Sequence, residues 1–379
     1  MDLTTFIIRA LIILGIFAIT LLIATYSTYA ERKVAGFLQD RLGPNRAGPF
    51  GLLQPLADAV KMFTKEEFIP AQANKWLFIA GPCLAMLTAL MSSAVIPWAD
   101  SIQYDGKFTS FQGIDINIGI LWIFGVVSLG VYGIMIGGWA SNNKFSLLGA
   151  IRAASQNISY ELAMGLSIIA ILMMSGSLSL RDIVNQQHGA NWNLLYQPLG
   201  FIIFLTCAFA ECNRTPFDLP ECETELVGGY HTEYSSMKLG FYLFAEYINM
   251  FVSSAVISVL YFGGFNFPFM DNLRAVLPAG ATGHNIMTAI QVVVMFAKTF
   301  FFIFFYMWVR WTLPRFRYDQ LMNLGWKALI PLAILNVVVT GFGLLFNAPW
   351  ASWLIIVVVV IAAIVSAARP RQVIQPQRT

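Results

Sequence analysis

Stretches of about twenty nearly uncharged apolar residues recur along this chain, the length a helix needs to cross a bilayer core ~30 Å thick. They run approximately 6–30, 76–98, 116–140, 158–178, 197–212, 239–264, 286–309, 325–346 and 350–368. The runs are continuous rather than alternating, so they predict helices and not the strands of a membrane barrel. The fifth is short and polar at its end, and only Asn347-Ala348-Pro349 separates the last two, which reads as a tight helical hairpin. The first is too long for a signal peptide and lacks a small-residue cleavage site, so it is read as a span. Charged residues make up 11% of the chain, against about 25% in soluble domains. The expected fold is therefore all-α and integral to a membrane. It is a single domain over 1–379, a polytopic bundle of about nine transmembrane helices with an amphipathic helix on the cytoplasmic side.

Basic residues orient such a bundle. The segments 31–75, 141–157, 213–238 and 310–327 and the tail after 368 fall on one side and hold 18 of the 23 Lys and Arg. The other side holds Arg9, Lys107, Arg181 and Arg274, and Lys298 lies within a span. This bias predicts an N terminus outside, a C terminus in the cytoplasm and a multi-pass protein of a bacterial cytoplasmic (inner) membrane. If 350–368 lay along the interface, only the basic tail in 350–379 would change sides.

The cytoplasmic loops carry most of the chemistry. In 31–75, Leu52, Leu56, Val60 and Phe63 recur at helical spacing with Asp58 and Lys61 off the stripe. This predicts a helix lying on the membrane surface, either shielding a bundle edge or forming part of a site. The region 211–246 holds Glu211, Asp218, Glu221, Glu223, Glu225, Glu233 and Glu246, seven of the chain's 20 acids, against Arg214 and Lys238. Two carboxylates ~6 Å apart at an effective dielectric near ~20 repel by about 3 kcal/mol. Such a group is either solvated or paired with cations, and it titrates as a set.

Glu161, Glu211, Glu246 and Lys298 lie within or at the edge of spans. Each costs about 3 kcal/mol near a helix centre, so each is expected to face the bundle interior or a water path. Carboxylates at staggered depths beside Tyr132, Tyr160 and Tyr247 suggest a proton relay, with a Glu246–Lys298 ion pair as the structural alternative. Cys83, Cys207, Cys212 and Cys222 form no CxxC pair, three histidines leave little for a metal, and no phosphate-cradling loop opens a helix. Gly133 and Gly137 make a lone GxxxG. Acidic lipids or a partner protein fit the basic loops better than nucleic acid.

Four stretches carry a family resemblance. They are Glu31-Arg-Lys-Val-Ala-Gly-Phe-Leu-Gln-Asp-Arg-Leu-Gly-Pro-Asn-Arg46, Gly138–Lys144 through Ser159-Tyr160-Glu161, Glu211-Cys-Asn-Arg-Thr-Pro-Phe-Asp-Leu-Pro220 through Glu233-Tyr234, and Pro314-Arg-Phe-Arg-Tyr-Asp-Gln-Leu321. In order, and all on the predicted cytoplasmic side, they resemble the quinone-site membrane subunit of respiratory complex I (NADH–quinone oxidoreductase), the family whose mitochondrial members are called subunit 1. The extra span and basic tail favour a bacterial over a mitochondrial chain.

The resemblance implies a translocase subunit without a redox centre of its own. Quinone (ubiquinone or menaquinone) is its substrate, and flavin and iron–sulfur clusters sit in partner subunits. It implies other complex I subunits, quinone and lipid as partners. Carried over by motif, Glu31, Arg32, Arg41, Arg46 and Asp58 would line or support a quinone passage, and Arg310, Arg315 and Arg317 would fix the loop after the seventh span. Glu221, Glu223 and Glu225 would face the quinone. Glu161, Glu211 and Glu246 would lead protons inward, with Tyr247 and Lys298 as further candidates. Three rivals share some of these features: the homologous membrane component of energy-converting hydrogenases, which lacks a quinone partner, a stand-alone transporter, and a structural anchor with merely solvated acids.

Overall fold

The computed structural model describes residues 3–104, 106–218, 227–278, 280–348, 350–354 and 356–358. Apolar length fixes where this chain can cross a membrane but not where its helices stop. α1 (Leu3–Leu38) runs on through Glu31-Arg32-Lys33, because charged residues at a helix end form helical hydrogen bonds as readily as apolar ones. It closes where Gly36 meets Gly43 so tightly that a Cβ on Gly36 would lie 2.8 Å from the Gly43 nitrogen. The surface helix α2 spans Gln54–Thr64 and α3 spans Lys75–Ser93. A small antiparallel hairpin follows, β1 (Ser101–Tyr104) and β2 (Lys107–Ser110), in register Ser101 to Ser110.

The middle of the chain comprises α4 (Gly119–Ala140), α5 (Lys144–Ser175), the short α6 (Leu180–Gln186) and α7 (Asn193–Tyr196), and α8 (Pro198–Glu211). α9 (Ser236–Tyr261), α10 (Met270–Val276) and α11 (Ala281–Thr312) come next. Finally α12 (Tyr318–Asn323) passes through a π-helical turn, Leu324–Leu329, into α13 (Ile330–Leu345). Among the described residues seven helical segments are long and apolar enough to cross a membrane: α1, α3, α4, α5, α9, α11 and the continuous Tyr318–Leu345. α8, where the fifth span was expected, is apolar but shorter. Most of the predicted ninth, 350–368, and of the tail in 350–379 lies outside the described residues.

Two features depart from the expectations above. The segment 141–157, read as a loop, is mostly the start of α5: Asn143 caps it by accepting from the Phe145 N–H at 2.9 Å, and the helix runs unbroken to left-handed Gly176. The β1–β2 hairpin is an addition to the expected all-helical bundle.

α9 is the most buried of the spans and packs against α1, α3 and α11, while α5 packs on α4, α8 and α13. The GxxxG pair has a definite partner. A Cβ on Gly133 would fall 2.9 Å from both the Gly81 oxygen and the Ala85 nitrogen, so α3 and α4 approach as only small residues allow. Tyr242 of α9 donates to the Gly133 carbonyl at 3.0 Å, which locks the three helices together.

Candidate functional site

The first and third motif-bearing segments meet at one end of the bundle, at a single buried carboxylate. Because α1 stays helical past its apolar run, Glu31 is held inside the protein, 5% exposed. The turn after α8 carries Arg214 beneath it. Arg214 Nη1 donates to Glu31 Oε2 at 3.1 Å, and the Tyr247 hydroxyl donates to the same oxygen at 3.0 Å. Arg310, in the last turn of α11, pairs with the other carboxylate oxygen. The Arg214 guanidinium also lies over the Tyr247 ring, 4.1 Å from its centroid. Burial opposes the charge on Arg214, but Glu31, Tyr247 and Glu246 outweigh it, so its pKa is raised above the ordinary arginine value. Two cations, one at each oxygen, satisfy this carboxylate, and removing either would leave it a single cationic partner.

A cleft opens beside this cluster. It has a volume of ≈ 150 Å³ and is walled by Thr25 and Arg32 of α1, Asp58 and Met62 of α2, and Phe244 and Tyr247 of α9. Arg32 bonds Asp58 at 2.7 Å across its rim, with Gln54 donating to the other Asp58 oxygen at 3.1 Å. The stripe Leu52, Leu56, Val60 and Phe63 points outward and is exposed. α2 thus presents an apolar face outward and its aspartate to the cleft, as predicted for a surface helix. Tyr247 belongs to the cleft wall and to the Glu31 cluster alike.

From there ionisable groups step inward. Glu246, 8% exposed, accepts from the Tyr230 hydroxyl at 3.1 Å. Glu246 and Glu211 both line a cavity of ≈ 30 Å³ with Asn157, Asn213 and Tyr230. Glu211 also lines a second cavity of ≈ 50 Å³ with Glu161, Asn249 and Ser253. Glu161 accepts a hydrogen bond from Ser128 of α4. Glu211 Oε2 is buried with no hydrogen-bond partner among the described residues. The first cavity has polar lining and room for one or a few waters, while the second is walled mostly by apolar side chains such as Ile123, Phe124 and Phe204, so Glu161, Glu211 and Glu246 form a line of carboxylates that share two small cavities.

The remaining predicted residues divide. Arg315 bonds Asp218 at 2.8 Å, and the Phe316 N–H donates to the Pro216 carbonyl at 3.1 Å, tying the segment after α11 to the one after α8. Arg41, bonded to Gln39 at 2.7 Å, and Arg46 are exposed on the loop before α2, outside the cluster. Arg317 is exposed and lies 3.7 Å from Asp319. Glu221, Glu223 and Glu225 lie outside the described residues. The suggested Glu246–Lys298 pair does not form. Lys298 Nζ sits at the opposite end of the bundle, donating to the carbonyls of Phe262, Gly264 and Asn266 at 2.6–2.7 Å. Of the three tyrosines, Tyr247 joins the cluster, Tyr160 donates to the Leu321 carbonyl at 3.0 Å, and Tyr132 is exposed.

Sequence reasoning missed Arg214, Tyr230 and Ser128 as site residues. Arg214 had a usable signal: it is the only cation between Glu211 and Glu233 apart from His231. Tyr234, beyond that segment and buried, donates to the Phe78 and Gly137 carbonyls at 3.1 and 3.3 Å. Burial pushes its phenol up to about 12, so it stays a neutral donor fastening the loop to α3 and α4.

Comparison with known proteins is unambiguous. The family model described as NADH dehydrogenase matches residues 11–341. The chain is 64% identical over 333 residues to an H-type NADH-quinone oxidoreductase subunit of Cytophaga hutchinsonii, covering 88% of this chain and 95% of that one. The corresponding chain of Flavobacterium johnsoniae is also 64% identical, over 88% of this chain and 94% of its own. NADH-quinone oxidoreductase subunit 8 of Rhodothermus marinus is 47% identical over 338 residues, 88% and 96% of the two chains.

Proposed function

The chain belongs to the H-type family of NADH-quinone oxidoreductase subunits, membrane components of the enzyme complex I, and from that premise we propose that it forms the quinone passage and couples quinone reduction to proton translocation. Its partners are other complex I subunits. The observation that carries the proposal is the juxtaposition at Tyr247. The ring walls a cleft between α1, α2 and α9, while its hydroxyl holds Glu31, which Arg214 links electrostatically to Glu246.

In this reading a lipid-soluble quinone approaches from the bilayer over the apolar face of α2. It passes the Arg32–Asp58 pair and comes up against Tyr247. Reduction of a quinone to a quinol takes two electrons and two protons, and the electrons come from partner subunits. Anionic charge arising next to the Glu31 cluster acts directly on Arg214, whose guanidinium is the nearest buried cation. Its field is shared with Glu246, so occupancy of protons at Glu246, Glu211 and Glu161 responds. Glu221, Glu223 and Glu225 belong to the same reading as acidic groups facing the quinone, with Arg41 and Arg46 flanking the passage and Arg310, Arg315 and Arg317 holding the opposite wall. The substrate is a quinone of the ubiquinone or menaquinone class. The membrane is the bacterial inner membrane, with the cluster at its cytoplasmic face and the N terminus outside.

Gly240 gives a test of the passage. It lines the cleft, and a Cβ there would meet only the flexible Met62 sulfur at 3.2 Å and the Met237 sulfur at 3.9 Å, so Gly240→Leu fills the cleft with little strain. The expected result is a raised KM or lost turnover for quinone. Reduction of a water-soluble acceptor by the hydrophilic arm of the same complex should be unchanged. Wild-type quinone kinetics in an assembled Gly240→Leu complex would refute the passage.

A further inference from the structure

At the end of the bundle away from Glu31 lies a larger cavity, ≈ 370 Å³, walled by α1, the β1–β2 hairpin and α11. Its α1 wall is Ile8, Leu11, Gly15 and Ile19 with their neighbours, and its lining is apolar apart from Tyr104 and Thr109. The floor is rigid: Trp98 stacks on Phe296 at 4.8 Å and on Phe251 at 5.4 Å. The hairpin wall is pinned rather than loose. His284, Asn285, Thr288 and Gln291, on one face of α11, make side-chain hydrogen bonds to the backbone of Asp100, Ser101 and Gln103 at 2.6–3.1 Å. An open, apolar, preformed groove in a membrane-facing position needs an apolar occupant.

Length and charge indicate which one. From Ile8 to Ile19 the groove follows α1 for roughly 16 Å at ~1.5 Å per residue, about half of a ~30 Å hydrocarbon core and hence one leaflet. Arg9, next to Ile8 at the outer turn, is exposed and has no ion pair among the described residues, whereas Arg181 at the same end is held by Asp100 and Asp115. A lone arginine at the interface snorkels to the headgroup level, where it meets phosphate.

We propose that this groove is a binding site for one anionic phospholipid of the leaflet opposite the Glu31 cluster, with an acyl chain along α1 and the phosphate at Arg9. The site stands on membrane embedding alone and does not depend on the quinone reading. Gly15 makes it testable, because a Cβ there meets nothing within 4 Å, so a large side chain fills the groove without displacing protein.

The intact complex is reconstituted in vesicles of phosphatidylethanolamine and phosphatidylglycerol, the latter carrying a photoactivatable group on its acyl chain. The expected result is labelling concentrated on peptides from α1, the hairpin and α11. It should be abolished by Gly15→Trp and reduced severalfold by Arg9→Gln, with complex yield unchanged; Gly15→Leu serves if the tryptophan hinders assembly. Labelling unaffected by either Gly15 variant overturns the site, and labelling unaffected by Arg9→Gln overturns the headgroup assignment. A photo-reactive residue at position 11 that cross-links a partner polypeptide instead of lipid also overturns the proposal.

Discussion

The two ends of this bundle handle buried charge in opposite ways. At the far end Lys298 gives each of its three protons to a carbonyl at 2.6–2.7 Å, and Arg181 is clasped by Asp100 at 2.6 Å and Asp115 at 3.5 Å. These two cations have firm partners. At the Glu31 end Arg214 keeps Nε and Nη2 without an acceptor among the described residues, and Glu211 keeps Oε2 without a donor. Buried polar groups without partners are destabilising, which makes them informative: a fold retains them where charge or protons must move. In the proposed reading, the same residue types act as staples at one end and as responsive groups at the other.

That contrast can be broken by substitution. The largest effect is expected from Arg214→Met, which strands Glu31 beside Arg310 alone; loss of one partner of a buried pair costs about 3–5 kcal/mol. Both assembled complex and quinone turnover should fall, and blue-native gels with turnover per assembled complex measure the two separately. Normal turnover in the assembled fraction would place Arg214 with the staples. Next is Lys298→Met, which leaves three carbonyls without a donor at about 1–3 kcal/mol for each buried group. Thermal stability of the extracted complex should drop while turnover per assembled complex stays at the wild-type level; a turnover defect in stable complex would erase the distinction between the ends. Smallest is Arg317→Ala. Its exposed pair with Asp319 lies at 3.7 Å, and such pairs contribute about 0–1 kcal/mol. A change in melting temperature too small to measure is expected, and a large one would reveal a partner surface resting on it.

Much of this division was legible in the chain. Apolar length placed seven of the nine expected spans as membrane-length helices among the described residues, with the shorter α8 at an eighth, and the 3.6-residue stripe of Leu52, Leu56, Val60 and Phe63 located α2 with its outward apolar face. The four motif blocks marked segments that meet through the one after α8, which reaches Glu31 by Arg214, the second block by Gln156 and the fourth by Arg315. What escaped depends on how the ends fold back. Lys298 looked like a partner for Glu246 because both are isolated charges in adjacent spans; depth separates them. The turn of left-handed Gly263 and Gly264 brings three carbonyls over Lys298, and no residue pattern encodes that. The β1–β2 hairpin shows no clear alternation in 101–110, since its order comes from side chains of α11 some 180 residues later. Arg214 was visible as a lone cation in an acidic region, but its burial under α1 followed only from α1 remaining helical beyond Glu31.

The line of carboxylates from Glu31 to Glu161 is central to the proposed coupling, and Glu211 tests it most directly. Glu211→Gln keeps side-chain size and removes only the exchangeable charge between the two cavities. Purified complex in sealed vesicles would be followed for NADH-driven quinone reduction and proton uptake or release together. Normal assembly is expected, with proton translocation per quinone reduced falling well below the wild-type ratio because the group that would carry the proton between the two cavities is gone. Assembled complex that translocates protons at the wild-type ratio would contradict a proton path through Glu211.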